Sequence, residues 1–235
     1  MADEQAVIRA LTQVSEAKAD GDGTRSRLPV ITISRTMGAG GDDIGSLVAE
    51  RLGVPCYGRE VLDKVAKEAR VHESLMNKLH ERLSGAGDAW LYSLLFGANV
   101  TRDDYLHRLV TTVRGLYQSG GVIMGRGGNI ILAGRKVLRV RVTGSVDACA
   151  KRLALQCGLD LDDARRRVRD SNKARGEFTW KVFKRRANDP TNYDLVINTD
   201  YFADFGLLAD LILHSAGAMG IHPPHGHHHG HPEKK

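Results

Sequence analysis

The stretch ITISRTMGAGGDDIG, residues 31–45, decides the fold. A β-branched run (Ile31, Thr32, Ile33) leads into Gly38, Gly40 and Gly41, and a helical pattern follows. A glycine-rich turn between a strand and a helix presents successive backbone N–H groups, and the helix N-terminus adds partial positive charge. Such a turn suits a phosphate, because glycines let the backbone wrap close to an anion. The predicted loop comprises Gly38, Ala39, Gly40, Gly41, Asp42, Asp43 and Ile44. It departs from the full pattern G-x-x-x-x-G-K-[ST]. Laid over the shorter loop G-x-G-K-G-T, Gly41 stands where the lysine belongs and Asp43 falls in the Ser/Thr position. By pattern alone the match fails, and glycine turns after strands are common. Asp42 and Asp43 favour the helix dipole but repel phosphate unless Mg²⁺ lies between. Asp43 is therefore the metal-side candidate and Asp42 reads as an N-terminal cap.

Four further strands are expected downstream of VITIS (30–34): VPCY (54–57), VIMG (122–125), VLRVRVT (137–143) and DLVIN (194–198). Three are near-continuous apolar runs, as in strands covered on both faces of a parallel sheet. Helical patterns separate most of them. IGSLVAERLG ends at Gly53 in a C-cap position. Residues 59–83 and 101–118 read as helices, the second with Thr101 and Asp104 in capping-box spacing. Ser145 and Asp147 open a helix that stops at Gly158, and Asp160 and Asp163 open the next. The alternation predicts an open α/β sheet with ligands at the carboxyl ends of its strands. Residues 84–100, with Trp90, Tyr92 and Phe96, read as a lobe whose aromatics belong to a core or to a partner surface.

The flanks differ in character. Residues 3–19 carry Val7, Ala10, Leu11, Val14 and Ala17 at helical spacing, and the polar linker DGDGTRSR follows, so residues 1–28 form an arm ahead of a domain at 29–216. The tail, residues 217–235, contains six of the ten histidines and lacks apolar periodicity. It is expected to be disordered, with imidazoles that can chelate a divalent transition metal. No apolar run reaches membrane-spanning length. Cys56, Cys149 and Cys157 are odd in number and lack metal-ligand spacing, which reads as reduced core thiols in a cytoplasmic protein. The oligomeric state is not legible.

Net charge is +6, and residues 165–186 alone hold ten Lys/Arg against Asp170 and Glu177. Basicity concentrated in this way fits a polyphosphate clamp or an RNA-binding stripe, and a plain solvated helix face is the bland alternative. No RNA-binding motif accompanies it, so nucleic acid is not the expected partner.

The ordered series SRTMGAGG, VAERLGVPCYGRE, GVIMGRGGNIIL and NYDLVINTD resembles the cytidylate kinase-like family, a divergent branch of the P-loop nucleoside monophosphate kinases. The resemblance spans roughly residues 29–214. It implies a P-loop NTPase-like three-layer sandwich: a five-stranded parallel sheet with a helical acceptor and lid insertion. It also implies phosphoryl transfer from ATP, with Mg²⁺, to a nucleoside monophosphate, CMP or dCMP. The branch typically carries G-S-G-G in its loop, so the lysine loss belongs to the branch. Arg35, next to strand one, is the candidate replacement, since a guanidinium binds phosphate bidentately. Arg126, in GRGG, matches the arginine that grips the acceptor phosphate in G-R-D. Tyr57 and Arg59 match the acceptor side, where Gly58 replaces the aspartate of Y-D-R-E. Arg169, Lys173 and Arg175 resemble lid cations, although their spacing differs from D-x-x-R. Arg35, Arg126 and Arg175 are thus the catalytic candidates, and Asn198 and Thr199 the candidates for the donor base. The competing readings are a nucleotide- or phosphate-binding regulatory module without turnover and, more weakly, RNA binding through residues 165–186.

Overall fold

Five short apolar runs become the strands of one parallel sheet in the computed structural model, which describes residues 1–16, 28–68, 74–76, 78–79 and 104–223. The strands are β1 (Val30–Arg35), β2 (Cys56–Tyr57), β3 (Gly121–Met124), β4 (Leu138–Thr143) and β5 (Leu195–Asn198). Their spatial order is β2-β3-β1-β4-β5, every pair parallel, so β1 lies at the centre. Ile31 faces Val122 on one side and Leu138 on the other. All five strands begin or end one or two residues away from the expected bounds, and at β2 and β3 the cause is local. Val54 and Pro55 precede β2 because proline has no N–H for the ladder; its carbonyl instead accepts from Val122. β3 stops at Met124 because Gly125 turns into the left-handed region at φ +74°.

Helices cover both faces. They are α1 (Glu4–Glu16), α2 (Gly41–Leu52), α3 (Arg59–Glu68), α4 (Asp104–Ser119), the short α5 (Gly128–Ile131), α6 (Val146–Cys157), α7 (Leu161–Phe183) and α8 (Phe205–Ala218). One face of the sheet buries Ile31, Ile33, Val140 and Val142 against Ile44 and Val48 of α2, Cys149 of α6 and Leu208 of α8. The other buries Val30 and Ile123 with Leu62 of α3 and Val113 and Leu116 of α4. The resulting three layers are the architecture the strand–helix alternation predicts.

Predicted caps are in place where the backbone needs them. Gly53 closes α2 with φ +64°, and its N–H donates to the carbonyls of Ala49 and Glu50. The Ser145 hydroxyl accepts from the Ala148 N–H at the start of α6, and Asp160 accepts from Asp162 at the start of α7. The N-terminal arm packs on its own domain. Val7, Leu11 and Val14 of α1 are buried in the same core as Tyr57, Leu79 and Tyr117, each fully buried aliphatic contributing about 1.5–3 kcal/mol. A Glu4–Lys64 ion pair at 2.7 Å fixes α1 beside α3.

Ordered structure continues past residue 216: α8 runs to Ala218 and Ile221 is buried. The remaining tail, the linker, residues 84–100, the end of the helix expected at 59–83, and Thr101 lie outside the described residues. Cys56 and Cys149 are buried as expected, but Cys157, at the last turn of α6, is exposed and is not a core thiol. Burial pushes the Cys56 thiol up to about 11. Among the described residues, no helix is long and apolar enough to cross a membrane.

Candidate active site

The glycine loop joins β1 to α2 at the carboxyl edge of the central strand. Gly38 and Gly40 both adopt positive φ, +76° and +75°. The loop is held from behind by its carbonyls: Thr199 Oγ1 donates to the Ala39 oxygen at 3.0 Å, and Arg152 Nη1 to the Gly38 oxygen at 3.3 Å. From the opposite side, Asn172 of α7 accepts from the Met37 N–H at 3.1 Å. Gly40 is the N-cap of α2 and supplies no side-chain bond, so the N–H groups of the first turn are left for a ligand.

Gly41 explains why the lysine is absent. A Cβ built there would lie 2.5 Å from the Cβ of Arg35. The Arg35 side chain therefore runs through the space a larger residue at this position would need. Its guanidinium reaches Asp42, Nη2 to Oδ1 at 2.7 Å, and the Arg35 side chain is 7% exposed against 55% for that of Asp42. Asp42 is thus an ion-pair partner for Arg35 and makes no capping bond, which corrects the reading of it as a simple cap. The Arg35 Nε is buried without a partner. Asp43 is exposed.

Beside the loop, a cavity of about 400 Å³ opens between β1, the turn after β3, β4 and α7. Its wall includes Arg35, Arg59, Arg126, Arg141 and Arg175 and, among the described residues, no carboxylate, with Ser34, Asn129, Ser171, Thr179 and Tyr193 as neutral polar groups. Arg126 sits at the tip of the GRGG turn with φ +48°, between Gly125 and Gly127 at +74° and +70°. Three consecutive left-handed residues are costly for the one that is not glycine, and the turn is backed by Phe183, whose ring leaves no room for a Cβ at Gly127. Arg126 Nε and Nη2 engage both oxygens of Asp63 on α3, and its guanidinium lies 4.7 Å from the Phe178 ring centroid. Tyr105 donates to the same Asp63 carboxylate at 2.7 Å. Burial lowers the affinity of Arg126 for its proton, but the Asp63 bonds and charge outweigh it and leave the guanidinium above its ordinary value.

Arg175, midway along α7, donates Nη1 to the Arg35 carbonyl at 2.6 Å. It has no carboxylate partner among the described residues, and burial, followed by the charges of Arg35 and Arg59, pushes it down to about 10. Arg59 pairs with Glu60 at 2.9 Å.

Residues 30–201 match the model of the cytidylate kinase-like family. The chain belongs to that family. Among solved structures, an uncharacterized protein from Eubacterium ventriosum ATCC 27560 is similar with a TM-score of 0.65 at 22% identity, covering 82% of this chain and 99% of that one. A shikimate kinase from Bacteroides thetaiotaomicron aligns with a TM-score of 0.40 at 17% identity, covering 81% of this chain and 98% of that one. No curated protein matches the chain. The fold is that of the P-loop nucleotide kinases, as the ordered sequence motifs imply.

Within this cytidylate kinase-like domain the expected site residues separate into two groups. Arg35, Arg59, Arg126 and Arg175 share the cavity wall. Arg169 and Lys173 are exposed on α7, and neither lines it. Tyr57 is 1% exposed, packs over Gly121 in the core, and burial pushes its hydroxyl up to about 12. Thr199 is fully buried and holds the loop through Ala39, so it braces the loop, whereas Asn198 is exposed and accepts from the Asp200 N–H. Parts of the basic segment are neutralised on the surface: Arg165 bonds Asp147 and Asp162, and Arg166 bonds Asp163.

Sequence reasoning missed Arg141 and Asp63. Arg141 stands two residues after Arg139 on the same face of β4, so strand alternation alone reads it as solvent-facing.

Proposed function

We propose that the chain is a nucleotide kinase that transfers a phosphoryl group from ATP to a nucleoside monophosphate, with CMP or dCMP the acceptor that family membership favours. The observation that carries this reading is the position of Arg35. It lines the arginine cavity and at the same time pairs with the first turn of α2, where the donor phosphates belong. Phosphoryl transfer asks the protein mainly to position two anions and to neutralise charge that spreads over the transferred oxygens. Arg35 occupies the space beside Gly41 and supplies the cation the missing lysine would supply. The N–H groups at the start of α2 hold the donor phosphates. Arg126, with Nη1 not used by Asp63, and Arg59 face the acceptor, and Arg175 closes the cavity from α7.

Among the described residues, no group of three metal-ligating side chains exists, so the fold offers no closed cage for a cation. The residues fit Mg²⁺ in the form that nucleotides carry: Asp43, exposed at the first turn of α2, would hold it alongside phosphate oxygens and water. Such an ion, when bound, screens charge on the donor phosphates. The buried thiols and the nucleotide substrates support a cytoplasmic setting.

Incubation with Mg-ATP and a panel of nucleoside monophosphates, with diphosphates resolved by chromatography, tests the reading. CDP or dCDP should form. ATP binding with no diphosphate from any acceptor would favour the second reading, a regulatory module that binds nucleotide without turnover. That reading draws on the three pre-formed pairs, Arg35 with Asp42, Arg59 with Glu60 and Arg126 with Asp63, which occupy three of the cavity's cations.

A further inference from the structure

Three of the five cavity arginines already have an acid: Arg35 has Asp42, Arg59 has Glu60 and Arg126 has Asp63. Arg141 and Arg175 have none among the described residues. We propose that Arg141, near the carboxyl end of β4, is a further phosphate-binding residue of the cavity, and that with Arg175 it grips the phosphomonoester group of the acceptor. The assignment rests on the kinase reading for the word acceptor, but its anion-binding core does not.

The geometry is specific. Arg141 is the register partner of Ser34 across the β1–β4 ladder, which puts it beside the strand that leads into the glycine loop. Its Nη2 reaches Thr36 Oγ1 at 3.4 Å and Asn188 Oδ1 at 3.3 Å, both at the long limit for a hydrogen bond, and the guanidinium also bonds the Tyr193 side chain, so none of these partners is a carboxylate. Arg175 reaches the preceding carbonyl, that of Arg35. The two guanidiniums therefore converge on the same two-residue segment, Arg35–Thr36, from β4 and from α7. A phosphate held between them lies on the loop side of the cavity, facing the donor.

Energetics favour an anion there. Desolvating a guanidinium without a carboxylate is unfavourable, and burial holds Arg141 below its ordinary value while Arg175 is pushed down to about 10. A phosphate dianion restores the missing countercharge, and planar guanidiniums match its oxygens two at a time. Arg139 shows the contrast on the same strand face. It forms a bidentate pair with Asp194 and lies off the cavity wall, a structural cation with its charge already matched.

The test is calorimetric titration of the full chain with inorganic phosphate at constant ionic strength. Wild type should bind saturably, and Arg141→Gln should bind about 10- to 100-fold more weakly with unchanged circular dichroism. Arg141→Lys, which keeps the charge but loses the fork, should fall between them. Arg166→Gln removes an equal charge from an arginine that is 72% exposed and paired with Asp163, and should bind as wild type. No saturable binding by wild type, undiminished binding by Arg141→Gln, or an equal loss in Arg166→Gln would each overturn the proposal. If Arg141→Gln does not fold, phenylglyoxal modification of wild type, mapped by mass spectrometry, decides: protection of Arg141 by phosphate supports the grip, and equal labelling with and without phosphate overturns it. Phosphate binding through Arg141 with no diphosphate product from any nucleotide would sink the kinase reading and leave the anion site standing.

Discussion

Arg35 and Asp42 face each other across the turn that carries the loop glycines, guanidinium to carboxylate at 2.7 Å. Asp42 is 55% exposed and Arg35 is 7% exposed, so the cation is the fixed partner and the acid the movable one. A phosphate arriving at the loop competes with Asp42 for the same guanidinium. Asp42→Asn should therefore tighten ATP binding by about 3- to 10-fold and change stability by less than about 1 kcal/mol. Titration with ATP, together with denaturant unfolding, checks both numbers. Weaker ATP binding would mean that Asp42 orients Arg35 and does not compete for it.

Gly41 is the second half of the same device. Even a methyl group there would meet the Arg35 Cβ at 2.5 Å, on a stem that cannot swing away. Gly41→Ala should lower stability by about 1–3 kcal/mol, as overpacking does in a filled site. Gly41→Lys should fail to raise phosphoryl transfer although it restores the common loop pattern. Urea midpoints and turnover of the two variants are the relevant measurements.

The Asp63 carboxylate is more deeply placed than that of Asp42, 17% exposed against 55%. Removing the acid's charge leaves the Arg126 guanidinium, 21% exposed, without its carboxylate and weakens the acceptor of the Tyr105 hydroxyl. Asp63→Asn should cost about 1–3 kcal/mol, clearly more than Asp42→Asn. A smaller loss than Asp42→Asn shows would contradict the burial argument. The comparison of the two variants under one denaturant series is enough.

Away from the site, Asp194 ties β5 to β4 through Arg139. Burial raises its pKa, but the Arg139 bonds and charge outweigh that and bring the carboxyl below its ordinary 3.8. A depressed carboxyl contributes stability that is fully present above its unfolded value and is lost as pH falls through its folded one. Asp194→Asn should therefore cost about 1 kcal/mol at pH 7, a modest figure because the pair is partly exposed. The gap between variant and wild type should close once pH falls well below 3.8. Unfolding midpoints at neutral and acid pH measure it.

The sheet was legible because a strand buried on both faces must be largely apolar, as Val122–Met124 is throughout and Val30–Ile33 is apart from Thr32. The gathering of Arg35, Arg126 and Arg175 around one cavity was legible as well, because each lies in or beside a motif segment. Tyr57 was misplaced because the same motif position serves the core here, under Gly121. Thr199 was misplaced because a hydroxyl at a strand end reads alike whether it faces a ligand or braces a loop. Arg141 was hidden by its setting: between Val140 and Val142 it reads as the solvent-facing residue of an alternating strand. Only the long helix α7 crossing that face turns it inward, and the meeting of residues 141 and 175 on one cavity wall has no local signature. Asp63 was silent for the same reason, one acid among several on a helix.

The central claim is that Arg35 does the work of the absent lysine, and the most direct measurement is phosphoryl transfer by Arg35→Ala beside wild type, with Mg-ATP and the best acceptor of the panel. Wild type should form diphosphate, and the variant should lose about 100-fold or more in kcat/KM while keeping its fold by circular dichroism. Equal rates in the two proteins would contradict the account.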